Sequence, residues 1–209
     1  VYVLCTGSAL ALNWEDENVD AILNAWYGGQ EAGTAVADIL FGDYNPAGRL
    51  PITFYKSIDQ LPDFQNYNMK GRTYRYMTQK PLYPFGYGLS YTSFDYQDAK
   101  LSFNKIKKDE SVTLTLNIAN TGKMDGDEVV QIYIKNPNDP AGPIKTLKAF
   151  KRVNIQAGDT QKTSFELEPE TFWSFNDKTQ TMEVRPGKYQ ILYCLLYTSP
   201  SPRDGLLSR

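Results

Sequence analysis

With no histidine among its 209 residues, this chain holds neither a Ser-His-Asp triad nor an imidazole-ligated metal. Acid–base work therefore falls to carboxylates, lysines or tyrosines. Glu15, Asp16 and Glu17 form an acidic cluster with two competing readings, a metal or acid–base centre and a solvated loop ahead of Val19. Adjacent carboxylates on a loop do not establish a facing pair, so the loop is the reading adopted. Glu31 opens a predicted helix after Gly28-Gly29, where the positive end of the helix dipole stabilises its charge. The same effect makes it a poor proton donor. The paired glycines could cradle a phosphate with backbone N–H groups, but neither a full dinucleotide fingerprint nor a P-loop lysine follows. A tight strand-to-helix turn accounts for them.

Aromatic rings exclude water together with the CH-rich face of a sugar, which makes Trp14, Trp26 and Tyr27 candidate stacking platforms. Trp26 and Tyr27 end an apolar strand-like run and are expected in the core; Trp14 sits in a polar loop and is retained as a ligand-binding candidate. Arg72-Thr73-Tyr74-Arg75-Tyr76 combines guanidinium and phenol donors suited to carbohydrate hydroxyls. Arg72, Tyr74 and Arg75 are accordingly further candidates, against the competing reading of a clamp that pairs the arginines with carboxylates of an adjoining domain. Trp173, between Phe172 and Phe175, fits a sandwich corner better than a sugar platform.

The elements that carry these residues change period along the chain. Val1 to Cys5 and Ala21 to Tyr27 are short continuous apolar runs, the pattern of parallel strands buried on both faces. From Glu31 to Phe41 the apolar positions Ala32, Ala35, Val36, Ile39 and Leu40 fall at helical spacing, with Gly42 placed to stop the helix. A third apolar segment follows at Leu50 to Phe54, then an aperiodic, Tyr- and Pro-rich connection from Lys56 to Tyr87. Beyond Phe94 the period becomes two: Val112, Leu114, Leu116 and Ile118 alternate with polar residues, and Asn120-Thr121-Gly122 ends the run. Val130, Ile132 and Ile134 make the next strand, and runs at Thr146 to Ile155, Thr160 to Leu167 and Lys188 to Tyr193 follow. About seven strands in about 100 residues fit an immunoglobulin- or fibronectin type III-like sandwich.

Composition bounds the partners. A hydrophobic fraction of 41% is enough for ordinary cores, and 22 Lys+Arg against 24 Asp+Glu leaves a formal net charge of −2 with no basic run that would track phosphates. Nucleic acid is not an expected partner. No apolar run approaches the roughly 20 residues that span a bilayer, so no membrane partner is expected either. Cys5 and Cys194 are not expected to form a disulfide, Cys5 being placed in a buried strand.

The stretch WYGGQEAGTAVADILFGDYNPAGRLPITF, Trp26 to Phe54, and PFGYGLSYTSF, Pro84 to Phe94, resemble in order and content the C-terminal part of glycoside hydrolase family 3. The resemblance runs to about Tyr193. It implies an α/β partial sandwich layer over residues 1–92, an all-β fibronectin type III-like sandwich over 93–193, and an exo-acting, retaining β-glycosidase that removes terminal β-linked glucose or xylose. In that family the nucleophilic Asp lies in an upstream barrel and the acid/base Glu earlier in the α/β domain, so neither is expected here, and no metal or organic cofactor is implied. The chain then reads as a fragment whose partners are the upstream barrel and, through it, an oligosaccharide; a periplasmic or secreted location is implied. TGSALAL and WEDENVDAILNAWYGGQ resemble the bacterial β-xylosidases more than the plant exo-glucanases. Residues 194–209, in which CLLYTSPSPRD resembles translated sequencing-adapter sequence, are expected to be a structureless, non-native tail. The rival class is a non-catalytic carbohydrate-binding or adhesion module, which an upstream barrel with a suitably placed Asp would exclude.

Overall fold

The computed structural model describes residues 1–176, 178–193 and 205–207. The chain divides into two units, Val1–Leu89 and Ser90–Arg209, the first an α/β layer and the second an all-β sandwich.

In the first unit β1 (Tyr2–Leu4) pairs in parallel with β2 (Ile22–Asn24), Val3 facing Leu23. The connection between them contains α1 (Asn13–Asn18), where a loop was expected. Glu15 and Asp16 occupy its first turn, where the helix dipole favours negative charge, and buried Leu12 anchors its start. α2 (Ala32–Phe41) follows β2 and ends at Gly42, whose φ of 84° is the left-handed cap that glycine adopts without strain. The third apolar segment does not become a sheet strand. Instead the Phe54 N–H donates to Tyr83 O and the Leu50 N–H to Tyr87 O, both at 2.8 Å, so the 82–87 segment holds it from outside the sheet. Leu4, Leu12 and Phe54 make the core, with Ile22, Trp26, Leu50 and Tyr83 packed on it. Two strands alone cannot cover both faces of a sheet; Tyr2 is accordingly exposed, and Cys5 is exposed and unpaired rather than buried. The connection continues through α3 (Thr73–Tyr76).

The second unit is built on alternation. β4 (Val112–Asn120) buries every second residue without a break. It lies between β3 (Phe94–Leu101) and β7 (Thr160–Leu167), with Val112 opposite Leu167. The facing sheet places β5 (Gly126–Lys135) between β6 (Thr146–Ile155) and β10 (Tyr189–Tyr193), with Ile134 opposite Ile191. Leu114, Leu116, Ile118 and Phe165 from one sheet meet Val130, Ile132, Ile134 and Ile191 from the other. At about 1.5 to 3 kcal/mol per fully buried large side chain, this contact is the main stabilising term of the unit. Between β7 and β10 the chain adds a two-stranded ribbon, β8 (Trp173–Asn176) and β9 (Thr181–Val184), where a corner was expected.

Of the tail, Cys194 and most of its neighbours lie outside the described residues. The backbone of β11 (Gly205–Leu207) runs antiparallel along β10, which corrects the expectation that no part of 194–209 joins the sheet. An open strand edge offers unpaired N–H and C=O groups to any extended segment, whatever its side chains. Among the described residues no helix is long and apolar enough to cross a membrane.

Candidate functional site

Ligands of open α/β sheets gather outside the carboxyl ends of the strands, and both strands of the first unit lead there into exposed aromatic residues. After β1 the loop 5–12 delivers Trp14, 67% exposed, on α1. After β2 the backbone turns at Trp26, whose φ of 54° is left-handed. That residue ends the continuous apolar strand expected through Ala21 to Tyr27, which stops at Asn24. The Trp26 ring packs edge-on against Phe54 with centroids 6.3 Å apart, while Tyr27, expected beside it in the core, stands 79% exposed. Gly28 then touches α2: a Cβ there would lie 2.3 Å from that of Ala32. Close backbone approach thus explains the glycine without a phosphate.

The acidic residues are drawn into local structure. Tyr83 donates a short hydrogen bond to Asp16 Oδ1 and stacks on Tyr87, centroids 5.3 Å apart. Burial, then the bond to Asp16 and its charge, push the Tyr83 hydroxyl well above the ordinary phenol range; burial, then the Asp16 charge, raise Tyr87 as well. The Tyr83 phenol stays protonated and acts as a donor to Asp16, not as a base. Glu31 forms the N-terminal boundary of α2 and accepts from the Thr34 hydroxyl at 3.0 Å.

Arg72 reaches into its own loop. Its Nη2 donates to Asn66 O at 2.6 Å and Asp63 O at 3.1 Å, and its Nε to Asn68 O at 3.2 Å. The guanidinium thus pins a loop that carries the exposed rings of Phe64 and Tyr67. Tyr74 stacks on Phe85 with centroids 4.3 Å apart, and the Arg75 guanidinium lies over the Tyr76 ring at 5.6 Å. The structure therefore gives the three residues of the 72–76 cluster supporting contacts and leaves Trp14 and Tyr27 as open rings. Tyr27 is a candidate platform that the sequence places in the core; its exposure follows from the positive φ of Trp26, which leaves no mark in the residue pattern. Among the described residues no group of three His, Cys, Asp or Glu side chains could hold a metal.

Residues 1–91 match the glycosyl hydrolase family 3 C-terminal domain, and residues 128–194 match a fibronectin type III-like domain. The chain carries the C-terminal modules of glycosyl hydrolase family 3. A xylan 1,4-beta-xylosidase of Xylanibacter ruminicola is 50% identical over 194 residues, which cover 92% of this chain and 22% of that protein. A periplasmic beta-glucosidase of Salmonella typhimurium is 39% identical over 204 residues, covering 91% and 26%. The solved structure of a β-glucosidase from Erythrobacter marinus superposes with a TM-score of 0.80 at 36% identity, covering 98% of this chain and 27% of that one. The chain thus spans about a quarter of the length of the family 3 relatives it matches. The motifs from Trp26 to Phe54 and at Pro84 to Phe94 fall largely within the matched C-terminal domain.

Proposed function

We propose that this chain forms the C-terminal part of an exo-acting, retaining β-glycosidase that removes terminal β-linked xylose or glucose from oligosaccharides. The observation that carries the reading is the family 3 match together with relatives named as β-xylosidases and β-glucosidases. Retention needs one carboxylate to form a glycosyl–enzyme bond and a second, about 5 to 5.5 Å away, to protonate the leaving oxygen and then activate water. Asp16 and Glu31 are held in structural bonds, and both reacting carboxylates are assigned to an upstream barrel and the earlier α/β segment. In this reading Trp14 stacks on substrate, and Arg72, Tyr74 and Arg75 act on the substrate side through the loop and rings they hold. The likeness at 50% to a xylan-directed enzyme favours xylose over glucose.

The test is a comparison of two proteins. Expressed alone, the 209-residue chain leaves aryl β-xylosides and β-glucosides unhydrolysed; expressed with its upstream coding sequence, it turns one of them over with retained anomeric configuration, followed by NMR. Turnover by the short chain that disappears when one of its own carboxylates is replaced overturns the division of labour. An inactive longer protein lacking a barrel would support the non-catalytic rival.

A further inference from the structure

We propose that Tyr27 is a stacking platform for the pyranose ring of a β-linked xylosyl or glucosyl unit, at the carboxyl end of β1 and β2. The proposal rests on the glycosidase reading for the identity of the sugar. It rests on three observations for the site. The ring is 79% exposed at the sheet end where ligands of such layers gather. The residue before it adopts a left-handed backbone at φ 54°, a conformation that costs about 1 kcal/mol or more for a non-glycine residue and here leaves Trp26 in the core and Tyr27 outside. The third observation is the close approach of the Gly7 backbone: a Cβ on Gly7 would stand 2.7 Å from Tyr27 Cε2 and 3.4 Å from Cδ2 and Cζ. The Gly7 backbone thus lies close beside the Cε2 side of the ring, where a side chain would displace it, and the rest of the ring stays open.

The chemistry around the ring selects a neutral ligand. Residues 5–12, CTGSALAL, and 24–30, NAWYGGQ, contain no charged side chain, so neither a phosphate nor a cation finds a counter-charge on these two segments. A molecule with an apolar CH face and hydroxyls at its edge suits an exposed phenol ring beside the uncharged Thr6-Gly7-Ser8 loop. A pyranose has both.

Titration of the 209-residue chain with xylobiose and with cellobiose, followed by the ring resonances of Tyr27 in NMR, tests the assignment. The expected result is a saturable shift of those resonances. Tyr27→Ala is expected to weaken binding about tenfold, a factor equivalent to about 1.4 kcal/mol, and Tyr27→Phe to retain it. Gly7→Ala displaces the ring without itself reaching the sugar, so it is expected to weaken binding as Tyr27→Ala does while resonances of the second unit stay unchanged. Resonances unmoved by either sugar, or equal affinities for wild type and Tyr27→Ala, overturn the proposal. So does a ring that the longer protein covers and shields from sugar. Binding without hydrolysis by the longer protein would sink the glycosidase reading alone; hydrolysis without binding at Tyr27 would sink this one alone.

Discussion

One buried amide, that of Asn120, does in the sandwich what no apolar residue could do in its place. At 1% exposure it accepts from the Thr92 hydroxyl at 2.5 Å and the Gly122 N–H at 3.1 Å, and it donates to Met124 O at 2.9 Å and Ile155 O at 3.0 Å. Every polar position of the side chain is used, which is the condition for tolerating an amide in a core. Asn120→Ala leaves several partners unsatisfied at about 1 to 3 kcal/mol each, so a loss of about 3 kcal/mol or more is expected in urea unfolding followed by circular dichroism. A loss below about 1 kcal/mol would mean that water replaces the amide. The residue pattern marks Asn120-Thr121-Gly122 as a turn but is silent on Ile155, because that partner arrives through non-local pairing. Trp26 and Tyr27 teach the same lesson in reverse: a regular apolar run places both inside, and one left-handed residue separates them.

Among the elements, those with a sustained period were legible. β4 alternates over nine residues and α2 keeps its helical stripe over ten, so both lie where the sequence places them. α1 has six residues and each strand of the β8–β9 ribbon four, too few to display a period against the noise of composition. Register adds what period cannot. β5 and β6 are tied near one end by Asp127, which accepts from Arg152 Nε at 2.6 Å and Asn154 Nδ2 at 2.7 Å. Burial alone would raise this carboxyl, but the hydrogen bonds from Asn154 and Arg152 and the Arg152 charge outweigh it and hold it below the usual carboxylate range. The stabilising contribution is therefore complete above about pH 4, the unfolded value, and is lost as pH falls through the lower folded value. The stability advantage of wild type over Asp127→Asn should shrink when unfolding is measured at about pH 2 instead of pH 6, and an advantage equal at both would refute the tie.

At the scale of the molecule the two units are unequally finished. The sandwich closes its sheets over a continuous core, whereas the first unit leaves Trp14, Tyr27, Phe41, Ile58, Phe64 and Tyr67 open to solvent around a core of three buried residues. Local opening follows the density of buried apolar contact, so limited proteolysis of the chain should cut before Ser90 first and leave a fragment of the second unit. Preferential survival of residues 1–89 would reverse that ranking. The order of units was legible from the family resemblance, but the thinness of the first core was not, since apolar content does not say which residues find cover. The pairing of the sandwich carries a further consequence for its synthesis. Ile134 meets Ile191, so β5 leaves the ribosome 57 residues before its partner strand, counting 191 minus 134. At about 5 to 20 residues per second it spends about 3 to 11 s with one edge unpaired, and that interval is when the nascent chain most needs a chaperone's cover.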